Sequence, residues 1–423
     1  MANNQPMSLK KSLIDAGVTG LIAFIIFGPI SGLILSGYQV ENELQRPLIM
    51  AAIVAIGRLI ISVAMQTEGG NAFLMRLARR RSGGVTVSTG GDDKRLFMAI
   101  PVMLLIGIGL PLVIDKYWIT VVILALIYVL LGLGLNIVVG LAGLLDLGYV
   151  AFYAVGAYLL ALGSQYLDLG FWAALPLAAL FAAMLGAVLG FPVLRMHGDY
   201  LAIVTLGFGE IIRLVLNNWL EFTGGPNGAS APPPTFFGME FSRKAAEGEQ
   251  TFHQFFNMDY SSIHRYIFIY LILLAVVCLM VVFVTRLKQM PMGRAWEALR
   301  EDEIACRSLG INHVAVKLSA FMMGAMTGGL AGVFFATYQG FVNPSSFTFF
   351  ESALILAIVV LGGLGSTVGV IIAALVLTIM PEVLREFADY RVLLFGVLMV
   401  VMMIWRPRGL IRVKRRAYDV GGM

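Results

Sequence analysis

The stretch WITVVILALIYVLLGLGLNIVV, residues 118–139, decides the fold class. It contains no charged residue, and its length matches the roughly 20 residues that a helix needs to cross a hydrocarbon core. Similar apolar runs recur along the chain, in which 59% of residues are hydrophobic and 13% are charged. The charged share is about half that of an ordinary soluble domain. Because the runs do not alternate as barrel strands do, they predict membrane-spanning helices.

These runs predict an all-α integral membrane protein, a polytopic helical bundle with about 10 to 12 transmembrane helices, some broken or re-entrant. The predicted spans are 16–35, 47–66, 96–114, 118–139, 149–162, 171–194, 200–220, 266–284, 318–338, 353–361, 367–380 and 392–405. Two of these runs are shorter than a span requires. In particular, 353–380 holds either two spans or a re-entrant segment.

Lysine and arginine placement predicts the orientation, because these residues stay on the cytoplasmic side of short loops. They cluster in 76–95, in 286–317 and after residue 405. With both termini cytoplasmic, these three clusters fall on one side of the membrane, the cytoplasmic side. The net charge of +5 therefore reports topology in a lipid bilayer and does not indicate nucleic-acid binding.

Composition divides the chain into three parts. Residues 1–95 form an N-terminal extension with two predicted spans and a basic, glycine-rich cytoplasmic linker. Residues 96–410 form the core, and 411–423 a basic cytoplasmic tail. The polar segment 221–265 is either a folded cap or a loose loop on the opposite side.

Four common motifs of enzymes and metal sites are absent from this sequence. It has no GxxxxGK[ST] phosphate loop, no HExxH, no CxxC pair and no nucleophile elbow. The four histidines are dispersed, and Cys278 and Cys306 do not suggest a disulfide framework. We therefore expect no catalytic residue, no metal site and no cofactor held by this chain.

The charged segment 293–310 predicts one short amphipathic helix between two spans. Good helix formers run up to Leu309, and Gly310 is a natural stop. Its apolar positions are predicted at Ala298, Ile304, Ala305 and Leu309. Such a helix either docks on another protein or lies on lipid head groups.

Two glycine clusters interrupt apolar runs in the two halves of the core. Breaks of this kind expose backbone groups that can line a polar pathway, although glycines also allow close helix packing. Glu210 and Arg213, three residues apart, are predicted to pair on one helix face, more as a structural pair than a gate. The candidate pathway residues are Asn136, Gly140, Gly143, Asp146, Gly148, Tyr149, Thr205, Glu210, Arg213, Gly362, Gly363 and Gly365.

The segment from Gly293 to Asn312 resembles the coupling loop of ABC importer permeases, in the form typical of the Liv (branched-chain amino acid) family. Blocks 134–152, 199–219, 223–228, 360–369 and 406–410 are similar to that family's other signatures. The two leading spans and linker resemble the extension of LivM-type members. The loop departs from the general EAAxxxG consensus of importers. Ala305 and Cys306 stand where the consensus has its alanine pair, and Glu303 lies one residue too early.

The resemblance implies a permease subunit that moves leucine, isoleucine and valine. Its implied partners are a LivH-type permease, LivG-type and LivF-type ATPases that bind ATP and Mg, and a periplasmic amino-acid-binding protein. The ATPase-coupling residues would be Gly293, Arg294, Glu297, Ala298, Arg300, Glu301, Glu303, Ala305, Leu309 and Gly310. The turn-forming Gly224, Gly225, Pro226, Asn227 and Gly228 would either simply reverse the chain or help to seat the binding protein.

Three other functions stay open. An ABC permease for urea or amides would use similar glycine-rich blocks. A secondary transporter driven by an ion gradient would need titrating carboxylates, for which Glu210 and Asp146 are the candidates. A membrane-embedded assembly protein would not depend on the loop around Glu303.

Overall fold

A computed structural model describes residues 33–36, 39–42, 107–112, 114–193, 199–236, 239–241, 261–383 and 409–411, with a few isolated residues besides. Contacts divide the chain into two units, Met1–Ser88 and Thr89–Met423. The predicted spans 47–66 and 392–405, most of 16–35 and 96–114, the linker and the tail beyond residue 411 lie outside the described residues.

The described part of the first unit is a β-hairpin. Strand β1 (Leu33–Ser36) pairs antiparallel with β2 (Gln39–Asn42). The predicted span 16–35 is therefore wrong at its end, where residues 33–35 belong to a strand.

The second unit is a bundle of mostly long, apolar helices, with two short charged helices between α5 and α8. The apolar helices are α1 (Lys116–Leu135), α2 (Val150–Leu167), α3 (Phe171–Val193), α4 (Asp199–Asn218), α5 (Ser262–Gln289), α8 (His313–Gln339), α9 (Phe349–Gly362) and α10 (Thr367–Val383), and the short charged helices are α6 (Pro291–Glu301) and α7 (Glu303–Ser308). Helix α1 continues through a π-helical turn, Asn136–Leu141. Seven helical segments in the described residues are long and apolar enough to cross a membrane, and α10 is a shorter apolar helix.

The helix ends follow local sequence signals. Ser261 begins α5 and Asn312 begins α8, each with its side chain accepting a backbone N–H bond of the first turn. Helix α8 ends at Gly340, which takes a left-handed φ of 71°. Asp168, with φ 48°, ends α2 in the same way.

Helix α8 lies at the centre of the bundle, packed against α1, α2 and α3. Its glycines let the backbones approach closely. A Cβ on Gly156 of α2 would meet the carbonyl oxygen of Gly329, and a Cβ on Gly332 would meet that of Tyr153. The closest crossing in the core therefore depends on small residues.

The two ends of the bundle differ. The connector, residues 290–312, joins α5 to α8 and marks one end, which we call the connector end. At the opposite end β3 (Ala229–Ser230) pairs antiparallel with β6 (Phe341–Val342), and β4 (Thr235–Phe236) with β5 (Met239–Glu240). The described part of segment 221–265 thus contains short ordered strands, which the all-α prediction did not include.

Candidate functional site

The connector is folded as two short helices, α6 and α7. Between them Asp302 is extended, with φ −157° and ψ 110°. Its carboxylate accepts hydrogen bonds from the backbone N–H groups of Ile304 (2.8 Å) and Ala305 (3.0 Å). The prediction of one helix over 293–310 is therefore wrong, because Asp302 acts as an N-cap and starts a new helix. Gly310, with φ 78°, lies just past α7 as predicted.

The buried side of the connector is formed by Trp296 and Leu299, with Gly293 and Cys306. The Trp296 indole donates to the carbonyl oxygen of Val316 and the hydroxyl of Ser319, each at 3.0 Å. The spacing of three between positions 293, 296 and 299 was the signal that could have identified this face.

The predicted apolar face of the connector is wrong. Ile304 and Leu309 are 77% and 79% exposed, Ala305 is exposed and Ala298 is half-buried. The break at Asp302 interrupts the helical periodicity, so residues on either side of it do not share one face. The exposed Ile304 and Leu309 are instead available for contact beyond this chain.

Ion pairs tie α7 to the beginning of α8. Glu303 accepts from Lys317 at 2.8 Å with one oxygen and from Arg307 at 2.6 Å with the other. The Lys317 side chain is only 3% exposed. Removing one partner would leave a charge at a poorly hydrated position, so this pair fixes where the connector sits.

The two predicted glycine breaks meet each other. The side-chain oxygen of Asn136 accepts a 2.9 Å hydrogen bond from the N–H of Gly365. The Arg300 guanidinium donates to the carbonyl oxygen of Gly140, and the Lys288 ammonium donates to the carbonyl oxygen of Gly365 at 2.5 Å. A connector residue and the end of α5 are thus bonded directly to the two breaks.

Positive φ angles explain glycines at these breaks. Gly143 has φ 72°, and Gly363 and Gly365 have φ 104° and 84°, conformations that other residues rarely adopt. Gly362 and Gly148 serve close approach, since a Cβ there would meet the backbone of Val370 and of Thr205 respectively. The glycines are therefore required both for turning and for packing.

A second polar network holds the segment between α1 and α2. Asp146 accepts from the N–H of Gly148 at 2.9 Å, and the Thr205 hydroxyl accepts from the N–H of Leu147 at 3.0 Å. The Tyr149 hydroxyl bonds the carbonyl oxygen of Gly324 (3.0 Å) and the Thr327 hydroxyl (2.9 Å). All of these side chains are buried in the chain's own packing.

Asp146 lies between the spans formed by α1 and α2. Burial raises the pKa of its carboxyl to about 7, while its bonds with Gly148 and Thr205 limit the rise. Its second oxygen is buried without a partner among the described residues. This acid therefore caps a turn at a place where a full negative charge is disfavoured.

The remaining candidates lie apart from both networks. Arg213 contacts Glu210 at 2.7 Å, which confirms the predicted pair, and both side chains are about one third exposed on α4. The string 224–228 forms a tight turn at the opposite end, with positive φ at Gly224, Gly225 and Gly228. Among the described residues, no group of three His, Cys, Asp or Glu side chains is placed to hold a metal.

Comparison with known proteins gives a family. The model described as branched-chain amino acid transport system / permease component matches residues 117–405, and a domain of unknown function matches 11–111. An Escherichia coli protein named high-affinity branched-chain amino acid transport system permease protein LivM is 55% identical over 324 residues, 76% of each chain. A Salmonella typhimurium protein of the same name is 54% identical over 77% of each chain.

More distant relatives include the E. coli protein LivH, 23% identical over 67% of this chain and 91% of its own length. No solved structure gave a significant match. The match to the family model covers both glycine breaks, the connector and the bundle. The chain therefore belongs to the family of branched-chain amino acid transport system permease components.

Proposed function

We propose that this chain is a permease subunit of an ABC importer that carries leucine, isoleucine and valine into the cytoplasm. The LivM-named relatives support the substrate class, since they are more than half identical over three quarters of each chain. The chain itself would perform no covalent chemistry. ATP and Mg would be bound by two ATPase subunits of LivG and LivF type.

The connector carries this proposal. It is anchored to the bundle through Trp296 and through the hydrogen bond from Arg300 to Gly140. The side chains of Ile304 and Leu309 nevertheless remain exposed. A rigid element held on one side and exposed on the other suits transmission of movement from a docked ATPase. The residues proposed for coupling are Gly293, Arg294, Glu297, Ala298, Arg300, Glu301, Glu303, Ala305, Leu309 and Gly310.

Movement of the connector would be transmitted to the bundle through its hydrogen bonds. An ATPase that displaces α6 would pull on Gly140 through Arg300 and on α8 through the contact of Trp296 with Val316. Because Gly365 is bonded to Asn136, the second break would move with the first. Alternating access would then be a shift between two arrangements of these linked breaks.

The membrane arrangement is part of the proposal. The connector end would face the cytoplasm of an inner membrane with both termini on that side, as the basic clusters favour. The spans outside the described residues would raise the total to 10 to 12. The units would be an extension over 1–95, a permease core over 96–410 and a basic tail over 411–423.

The remaining partners follow from this orientation. A LivH-type permease would complete the passage, and a periplasmic amino-acid-binding protein would dock near the turn 224–228, which lies at the end away from the connector. The buried candidate residues Asn136, Asp146, Tyr149 and Thr205 would shape the breaks beside the passage. Support for this role is that Asn136, Asp146 and Thr205 bond backbone groups within those breaks. Tyr149 joins the first break to α8 through the carbonyl oxygen of Gly324.

Reconstitution in vesicles tests the function. Vesicles holding this chain, its partner permease and the ATPases should take up labelled leucine only with ATP inside and the binding protein outside. Uptake by this chain alone under a proton or sodium gradient would contradict the proposal. Stimulation of ATP hydrolysis by urea or amides, and not by leucine, would replace the substrate class while keeping the mechanism.

A further inference from the structure

A cavity of about 230 Å³ lies where the connector meets the first break and the beginnings of α4 and α8. Its walls include the charged side chains Arg300, Glu303 and Lys317 and the apolar side chains Leu144, Leu201 and Leu299. At roughly 30 Å³ per water, it offers space for about eight waters. It is smaller than the roughly 300–1,000 Å³ of sites for drug-sized ligands, so it fits a small metabolite.

The chemistry of the walls matches a zwitterion. Arg300 and Lys317 are two cations that can take a carboxylate, and guanidinium and ammonium groups have more N–H donors than their contacts with Gly140 and Glu303 use. Glu303 can accept from an ammonium, because an ionised carboxylate has about four acceptor positions.

The apolar part of the cavity completes this match. Leu144, Leu201 and Leu299 are buried side chains on three different segments, the first break, α4 and α6. A ligand that places its charged end at Arg300 and Lys317 can therefore cover its apolar end with leucines. The ligand class that satisfies both halves is a free α-amino acid with an apolar side chain.

We propose that this cavity is a regulatory binding site for such an amino acid, entered from the connector end and lying beside the first break. The identity of the ligand rests on the proposed function, which makes leucine and its analogues the transport product. A bound molecule would reinforce the Glu303–Lys317 ion pair that already joins α7 to α8, and would connect that pair to the first break at Leu144. Because the ligand would hold these parts together, it would oppose movement of the connector between its two arrangements. Accumulated product would therefore inhibit ATP hydrolysis by the ATPase subunits.

Direct binding tests the site. The assembled importer is purified without the binding protein, and equilibrium binding of radiolabelled L-leucine is measured. Lys317→Met should weaken binding at least tenfold, since it removes a charge-assisted hydrogen bond. Ala142→Leu, at a cavity-lining position, should block binding by filling space while keeping the ion pair. Lys116→Met, at the opposite end where the ammonium bonds Ser262, is the matched control and should bind as the wild type.

The binding experiment can contradict the proposal in two ways. Equal leucine affinity in the wild type and in both cavity variants would overturn the proposal, as would competition by inorganic phosphate with no leucine binding, which would indicate a simple anion site. If Lys317→Met does not assemble, Ala142→Leu decides alone.

Transport separates this inference from the function on which it rests. Failure of leucine uptake by wild-type vesicles that contain ATP but no leucine would count against the proposed function. If uptake proceeds, preloading the vesicles with L-leucine should slow ATP hydrolysis in the wild type and not in Ala142→Leu. Undiminished hydrolysis in preloaded wild-type vesicles would overturn the cavity proposal alone.

Discussion

The side-chain oxygen of Asn136 is joined to the backbone N–H of Gly365 by a 2.9 Å hydrogen bond across 229 residues of sequence. This bond links the π-helical turn after α1 to the loop between α9 and α10. Both groups are buried, so the bond has little competition from water. It makes one structural unit of two breaks that lie in different halves of the core.

Asn136→Leu should therefore destabilise the protein. It leaves the Gly365 N–H buried without a partner, which costs about 1–3 kcal/mol. We expect a lower unfolding temperature in detergent and weaker ATP-driven uptake. Asn218→Leu is the control, because Asn218 is exposed and its side chain donates to the Leu214 carbonyl oxygen within the last turn of α4. Equal unfolding temperatures for the two variants would contradict a role for this bond.

A pair of helical glycines tests the packing of the core. A Cβ on Gly156 would meet backbone atoms of Gly329, whereas a Cβ on Gly207 of α4 would meet no atom of the described residues within 4 Å. Gly156→Ala should cost about 1–3 kcal/mol through overpacking. Gly207→Ala should be neutral or stabilising by up to about 1 kcal/mol, because alanine favours the helix. The measurement is thermal unfolding of both purified variants, and equal loss in both would refute the close-packing argument.

The exposed connector side chains should determine binding of the ATPases. Ile304→Asp and Leu309→Asp place a charge at positions that are open in this chain, so the permease itself should insert and fold normally. If the ATPases dock as proposed, these positions would become buried in the complex, and an unpaired charge there would be costly. We expect loss of ATPase subunits on co-purification.

Leu167→Asp provides the control for those variants, because Leu167 is an equally exposed leucine at the far end of α2. It should retain the ATPase subunits. Retention of the subunits by Ile304→Asp and Leu309→Asp as well would show that the connector docks through another face.

The sequence was sufficient for the long helices, the two breaks and the pair of Glu210 with Arg213, because apolar run length, glycine position and helical spacing are local properties. It could not reveal that Asn136 bonds Gly365 or that Arg300 bonds Gly140, since those contacts join distant segments. Nothing in a single sequence assigns partners across such separations.

The connector shows a different limit. Its residues are good helix formers, and propensity alone predicted one continuous helix. Asp302 instead capped a second helix, and the burial of Trp296 selected the other face. Local capping and tertiary packing both overrode propensity, which is a weak preference of well under 1 kcal/mol per residue.

Glu210→Gln distinguishes the proposed importer from an ion-driven transporter. In the importer the carboxylate only pairs with Arg213, both side chains are about one third exposed, and a pair at this spacing contributes about 0.2–0.5 kcal/mol. ATP-driven leucine uptake should therefore change by no more than about twofold. Glu221→Gln, at an exposed position just past α4, is the control and should behave in the same way.

An ion-coupled carrier would instead lose uptake when its titrating carboxylate is neutralised. Abolished uptake in a fully assembled Glu210→Gln complex, with normal uptake in Glu221→Gln, would place Glu210 in the coupling mechanism and remove the structural interpretation of the pair.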